Sequence, residues 1–185
     1  MQTTMAASSM FNTRRIVITG VLAAVAILLA ITRLGLIPVP NVSGNATIMH
    51  VPAIIGGVLE GPLVGLLIGA IFGIYAWLSA TSPLFANPLV SVLPRLFIGV
   101  TAAFTYMALR KNNEYLALIM AGVVGTLTNT ILVLGMAVIL NLLPIAAIPS
   151  IIPQAIAEVV IAVIITVAVI AAWKRMDKGA GKSSV

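Results

Sequence analysis

Between Ile16 and Trp173 the sequence is a succession of apolar runs, broken only by short connections rich in Pro, Gly, Asn and Ser. Hydrocarbon offers no water to satisfy backbone N–H and C=O groups. A chain of this kind must therefore close its hydrogen bonds within helices or within a sealed barrel. The runs have helical length, since about 20 residues rising ~1.5 Å each cross a hydrocarbon core of ~30 Å. Hydrophobic residues make up 61% of the 185 and charged ones only 8%, where a soluble domain is about half apolar and a quarter charged. The expectation is an all-α integral membrane bundle of six transmembrane helices, with no length left for a soluble catalytic domain.

The formal charge of +6 does not indicate a nucleic-acid reader, because the cations sit at the edges of apolar runs and not on a soluble basic face. Absence of Cys excludes disulfides, thiol catalysis and Cys-ligated metals. The single histidine, His50, excludes a His-pair zinc motif. No metal and no cofactor are expected, and an intramembrane enzyme would need a nucleophile–base pair that the sequence does not offer.

The spans are expected at Ile16–Ile31, Thr47–Leu59, Leu63–Ser79, Leu89–Leu109 and Leu116–Leu140. A sixth follows a Pro-rich turn over Leu143–Pro153 and ends at Trp173. The first run is read as a span and not a signal peptide, because no clean cleavage site follows it. Residues 1–15 then form a flexible N-terminus, 16–173 the membrane domain and 174–185 a basic tail. With the N-terminus inside, Arg14, Arg15, Arg110, Lys111, Lys174, Arg175, Lys178 and Lys182 all fall on inner segments, leaving only Arg33 and Arg95 near the other face. The positive-inside rule thus places both termini in the cytoplasm.

Depth along the spans is the most informative feature. At 1.5 Å per residue Arg95 lies roughly 9 Å, Glu158 roughly 12 Å and Asn129 roughly 16 Å below the outer ends of their spans. His50 and Gln154 sit higher, and the inner halves carry almost nothing polar, as for a pocket opening outward. Two readings stand for Arg95 and Glu158. One is a structural ion pair joining spans four and six. The other has Arg95 anchoring a ligand carboxylate while Glu158 orients it or accepts from a ligand hydroxyl. Ser91 and Gln154, each one turn earlier on the same helix face, favour a site. On that reading Arg95→Ala abolishes binding while the protein still folds. Asn129 is either a ligand contact or interhelical glue, His50 a contact or a cap, and Trp77 an interfacial anchor or a pocket wall.

Gly57, Gly61, Gly65, Gly69 and Gly73 recur every fourth residue and read as a ridge for close helix packing. Ala26 and Ala30, with Ala23 a turn before, form a stripe that serves either intramolecular packing or the docking of another membrane subunit.

The stretches Gly35-Leu-Ile-Pro-Val-Pro, Ala46-Thr-Ile-Met-His-Val-Pro, Gly61-Pro62, Ser91-Val-Leu-Pro-Arg95 and Gly125-Thr-Leu-Thr-Asn129-Thr, in this order, resemble the substrate-binding (S) component of energy-coupling-factor (ECF) vitamin transporters. The pantothenate-type branch is the most similar. The resemblance implies a subunit of a bacterial or archaeal cell membrane that captures a vitamin from outside. A transmembrane coupling subunit and two cytoplasmic ATPases would supply energy, and no phosphate-binding loop occurs in this chain. It also implies docking through Ala23, Ala26 and Ala30. The loop Leu34–Thr47 is expected to close over the ligand, bringing Asn45 and Thr47 to it. Asn45, Thr47, His50, Trp77, Ser91, Arg95, Asn129, Gln154 and Glu158 are thus the candidate binding residues. The competing readings are a solitary proton-coupled carrier using Glu158 and a purely structural subunit.

Overall fold

The computed structural model describes residues 13–38, 45–80 and 82–180; the expected flexible N-terminus falls almost wholly outside them. Helix α1 (Thr13–Ile31) leads into a short antiparallel hairpin of β1 (Leu36–Pro38) and β2 (Asn45–Thr47), in register Ile37 to Ala46. Then come α2 (Val51–Glu60), α3 (Pro62–Leu78), α4 (Pro88–Ser91), α5 (Leu93–Leu109), α6 (Glu114–Ile139) and α7 (Ile148–Ala180). With α4 and α5 nearly continuous, the chain forms six helical rods, as the apolar runs predict, and the hairpin is the one departure from an all-helical fold among the described residues.

The six rods are not six equal spans. Among the described residues four stretches, Thr13–Ile31, Pro88–Leu109, Glu114–Ile139 and Ile145–Met176, are long and apolar enough to cross a membrane. Helix α2 has only 10 residues, about 15 Å of rise, and Val51 through Val58 are all buried. It is the central helix of the bundle, surrounded by protein instead of lipid, which is the usual fate of so short an apolar helix. The hairpin sits over its N-terminus. The connection expected over Leu143–Pro153 is also shorter than that, because a 3-10 turn forms at Ile145–Ala147 and α7 starts at Ile148. Pro149 fits the first helical turn, where no N–H is required. Pro153 lies within α7 and forfeits one backbone bond.

Glycine determines how closely α3 approaches α5. A Cβ on Gly65 would lie 2.7 Å from the Gly99 carbonyl carbon, and one on Gly69 would lie 2.0 Å from the Arg95 carbonyl oxygen. Gly57 likewise meets Gly99, so most of the four-residue ridge packs backbone against backbone. Gly61 does not belong to that ridge: its φ of 96° makes the turn between α2 and α3, with nothing near its Cβ position. The alanine stripe is a seam within the chain. Ala23 and Ala26 are 4% and 0% exposed, Ala30 is half-buried, and the outward face of α1 instead carries Val17, Val21, Val25 and Leu28. The reading of Ala23 and Ala26 as a docking surface is thereby corrected, since residues packed against the chain's own helices are not available to a partner.

Thr13, Arg14 and Trp173 line one cleft, so the start of α1 and the end of α7 lie at the same end of the bundle. Arg14 Nε donates to Glu60 Oε1 at 2.8 Å there, tying α1 to the α2–α3 turn. The hairpin marks the opposite end.

Candidate functional site

Arg95 is positioned by a break in its own helix. Pro94 has no N–H to offer the Val90 carbonyl, and the Arg95 amide bonds Val92 O at 3.1 Å, one residue short of the α-helical partner. The carbonyls of Val90 and Ser91 therefore lose their helical donors, and Arg95 Nη1 takes both, at 3.2 and 2.5 Å. The guanidinium is stacked between Phe72 of α3 and Phe85 of the α3–α4 loop, 5.0 and 5.3 Å from the ring centroids. Phe72 reaches it because Gly69 and Gly73 let α3 lie against the break. Arg95 Nε is buried without a partner.

The connection carrying Phe85 is held at several points. Ser91 Oγ donates to the Phe85 carbonyl, and Trp77 Nε1 donates to the Ala86 carbonyl at 3.1 Å. Trp77 is 40% exposed, so its indole fastens the loop and does not wall a buried pocket.

Glu158 faces the hairpin. One carboxylate oxygen accepts the Thr47 amide at 2.8 Å and Gln154 Nε2 at 3.0 Å. Arg95 and Glu158 are not ion-paired: the guanidinium turns to backbone carbonyls of α4, and the carboxylate turns to β2. The salt-bridge reading is corrected accordingly, for Pro94 and the hairpin give each charge a nearer partner. Thr47 contributes its backbone through this bond. The side chain of Asn45 lies outside the described residues.

His50 occupies the N-cap position of α2 but makes no side-chain cap. Its Nε2 shares a hydrogen bond of 3.0 Å with Thr126 Oγ1 of α6, and its Nδ1 is buried without a partner. Asn129 follows Thr126 by three residues on α6, which places both on one helix face, and its Oδ1 is also buried and unpartnered.

Two sets lie around the start of α2. His50 and Thr126 are hydrogen-bonded, with Asn129 on the same face of α6; Thr47, Gln154 and Glu158 form the other, with Thr47 three residues upstream of His50. Arg95 is held separately between Phe72 and Phe85. Buried polar atoms normally find partners. Among the described residues Arg95 Nε, His50 Nδ1, Asn129 Oδ1, Thr130 Oγ1 and Thr166 Oγ1 are buried without a partner within the protein; the first three offer one donor edge, one ring nitrogen and one acceptor. Phe72 and Phe85 escaped the sequence reading. Spacing gave a signal for one of them, since Phe72 falls between two glycines of the ridge.

Among families of known proteins, the one described as the substrate-specific component of ECF transporters matches residues 14–170. Among solved structures, the chain is similar to the S component of a bacterial ECF transporter, with a TM-score of 0.63 and 20% identity over 89% of this chain and 96% of that one. No curated protein matches. At that identity the structural likeness concerns the fold.

Proposed function

Because the chain belongs to the family of ECF transporter substrate-specific components, a family of substrate-binding membrane subunits, we propose that it captures a small carboxylate-bearing nutrient at the hairpin end, pantothenate being the best fit. The observation that carries this reading is the group of buried, unpartnered atoms on Arg95, His50 and Asn129. With Nη1 committed to backbone, the Nε edge of Arg95 remains for a ligand carboxylate, the geometry in which guanidinium binds most strongly. Asn129 and His50 take the hydroxyls and amide. Ser91 and Trp77 act indirectly, through the loop that holds Phe85. Glu158 and Gln154 hold the hairpin across the site, and Thr47 is the strand's point of attachment.

In this reading the hairpin end faces outward and both termini are cytoplasmic, in keeping with the distribution of Lys and Arg. A membrane coupling subunit and two ATPases complete the importer, and this subunit carries out no chemistry of its own. The test is calorimetric titration of the detergent-purified chain with B vitamins and their precursors. Saturable binding of pantothenate, lost when its carboxylate is amidated, is expected. Binding indifferent to amidation would remove Arg95 as the anchor, and no binding by any carboxylate solute would remove the proposal.

A further inference from the structure

A second polar cluster lies at the terminal end of the bundle, where α6 begins and α7 ends. Lys174 Nζ donates to Tyr106 Oη at 2.7 Å and is paired with Glu114. The Tyr106 ring also carries Arg110, 6.0 Å from its centroid. Beside this cluster is a cleft of about 190 Å³ lined by Glu114, Tyr115, Leu118, Ala171, Lys174 and Arg175. Arg175 is exposed there and has no hydrogen bond or ion pair among the described residues. Among the described residues, Lys174 and Arg175 line the cleft against the single carboxylate of Glu114, with Arg110 nearby on Tyr106, so the patch is positive.

The cleft is smaller than the ~300–1,000 Å³ usual for a small-molecule pocket. Its floor, Leu118 and Ala171, is apolar. Beyond the cleft, Ile119, one turn after Tyr115 on α6, and Ile164, two turns before Ala171 on α7, are exposed apolar side chains. Tyr115 is 65% exposed and Trp173 adjoins Lys174, as is usual for aromatics at a membrane–water interface. A basic rim above an apolar strip at interface depth matches a molecule with an anionic head and hydrocarbon tails.

We propose that this cleft binds the phosphodiester of an anionic phospholipid, with Arg175 and Lys174 on the phosphate oxygens and an acyl chain along the Ile119–Ile164 face. The shared chemistry with inorganic phosphate is the anion. The apolar strip assigns the site to lipid. Each cation near an anionic headgroup contributes on the order of fivefold in affinity, and Arg175, being uncommitted, is the one whose loss reads most directly.

The experiment uses the full chain in detergent micelles, with phosphatidylglycerol retention followed by native mass spectrometry. Phosphatidylcholine and inorganic phosphate serve as parallel probes. Phosphatidylglycerol should be retained in preference to phosphatidylcholine and should resist millimolar phosphate. Arg175→Gln should lower its retention about fivefold. Arg33→Gln, at the opposite end, should leave it unchanged, and Arg175→Lys should keep most of it. Equal losses from Arg33→Gln and Arg175→Gln would overturn the site in favour of diffuse attraction. Full displacement by phosphate would overturn the lipid assignment, and so would equal retention of phosphatidylcholine.

Discussion

Replacing Arg95 by Ala takes away the donor that reaches the carbonyls of Val90 and Ser91 at 3.2 and 2.5 Å. A buried acceptor left without its partner costs about 1–3 kcal/mol. The lost stacking on Phe72 and Phe85 adds about 0.5–2 kcal/mol. Local relaxation offsets part of this, so a net destabilisation of about 3 kcal/mol is expected, read as equilibrium unfolding in mild detergent. Arg95→Ala is thus expected to weaken the fold as well as to abolish binding. The cause can be isolated, because Pro94 is what deprives Val90 of its helical donor. Pro94→Ala restores an N–H four residues on, worth about 0.5–1.5 kcal/mol net. The double variant Pro94→Ala/Arg95→Ala should thus be more stable than Arg95→Ala by about 1 kcal/mol, a coupling that a double-mutant cycle resolves. Strict additivity, or a cost below about 0.5 kcal/mol for Arg95→Ala, would refute the capping argument.

Arg95→Lys separates folding from binding: an ammonium keeps a donor for one carbonyl but has no Nε edge, so unfolding should shift by less than for Ala while pantothenate affinity falls at least tenfold in calorimetry. Glu158→Ala removes the acceptor of the Thr47 amide. A charge-assisted bond contributes about 1.5–3 kcal/mol, so hydrogen exchange at Thr47 should speed up about tenfold or more with α5 and α6 unchanged; equal acceleration throughout would contradict the local role. Gly69→Ala drives a Cβ to 2.0 Å from the Arg95 carbonyl oxygen and should destabilise by about 1–3 kcal/mol. Gly20→Ala, with nothing within 4 Å, should instead be neutral or stabilising by up to about 1 kcal/mol in the same unfolding assay.

How much of this was legible depends on the length scale of the signal. The rods could be read because apolar runs and Pro–Gly punctuation are local, and the Gly57–Gly73 spacing announced close packing before any partner was known. The partner was not legible. Nothing in the sequence says that Gly65 meets Gly99, or that α2 lies at the centre while α1 presents Val21 and Leu28 outward. The site divides the same way. Depth singled out Arg95, Asn129 and Glu158, because charge and amide groups inside apolar runs are costly and must be housed. Their partners were left open. An Arg95–Glu158 ion pair and a ligand site both stood, yet Pro94 had already created acceptors within reach of Arg95, a signal that lay in the adjacent residue.

Taken alone, the sequence determined that this chain is a helical membrane protein, which of its few polar side chains lie at depth, and where the backbone must turn. Those properties follow from hydrocarbon solvation and from proline and glycine, each acting over a few residues. Only the tertiary structure decided that Arg95 caps a helix break between two phenylalanines, that Glu158 holds a strand, and that Ala23 and Ala26 face inward. Such choices depend on which groups 50 or 100 residues apart come within about 3 Å, the range over which a hydrogen bond selects its partner.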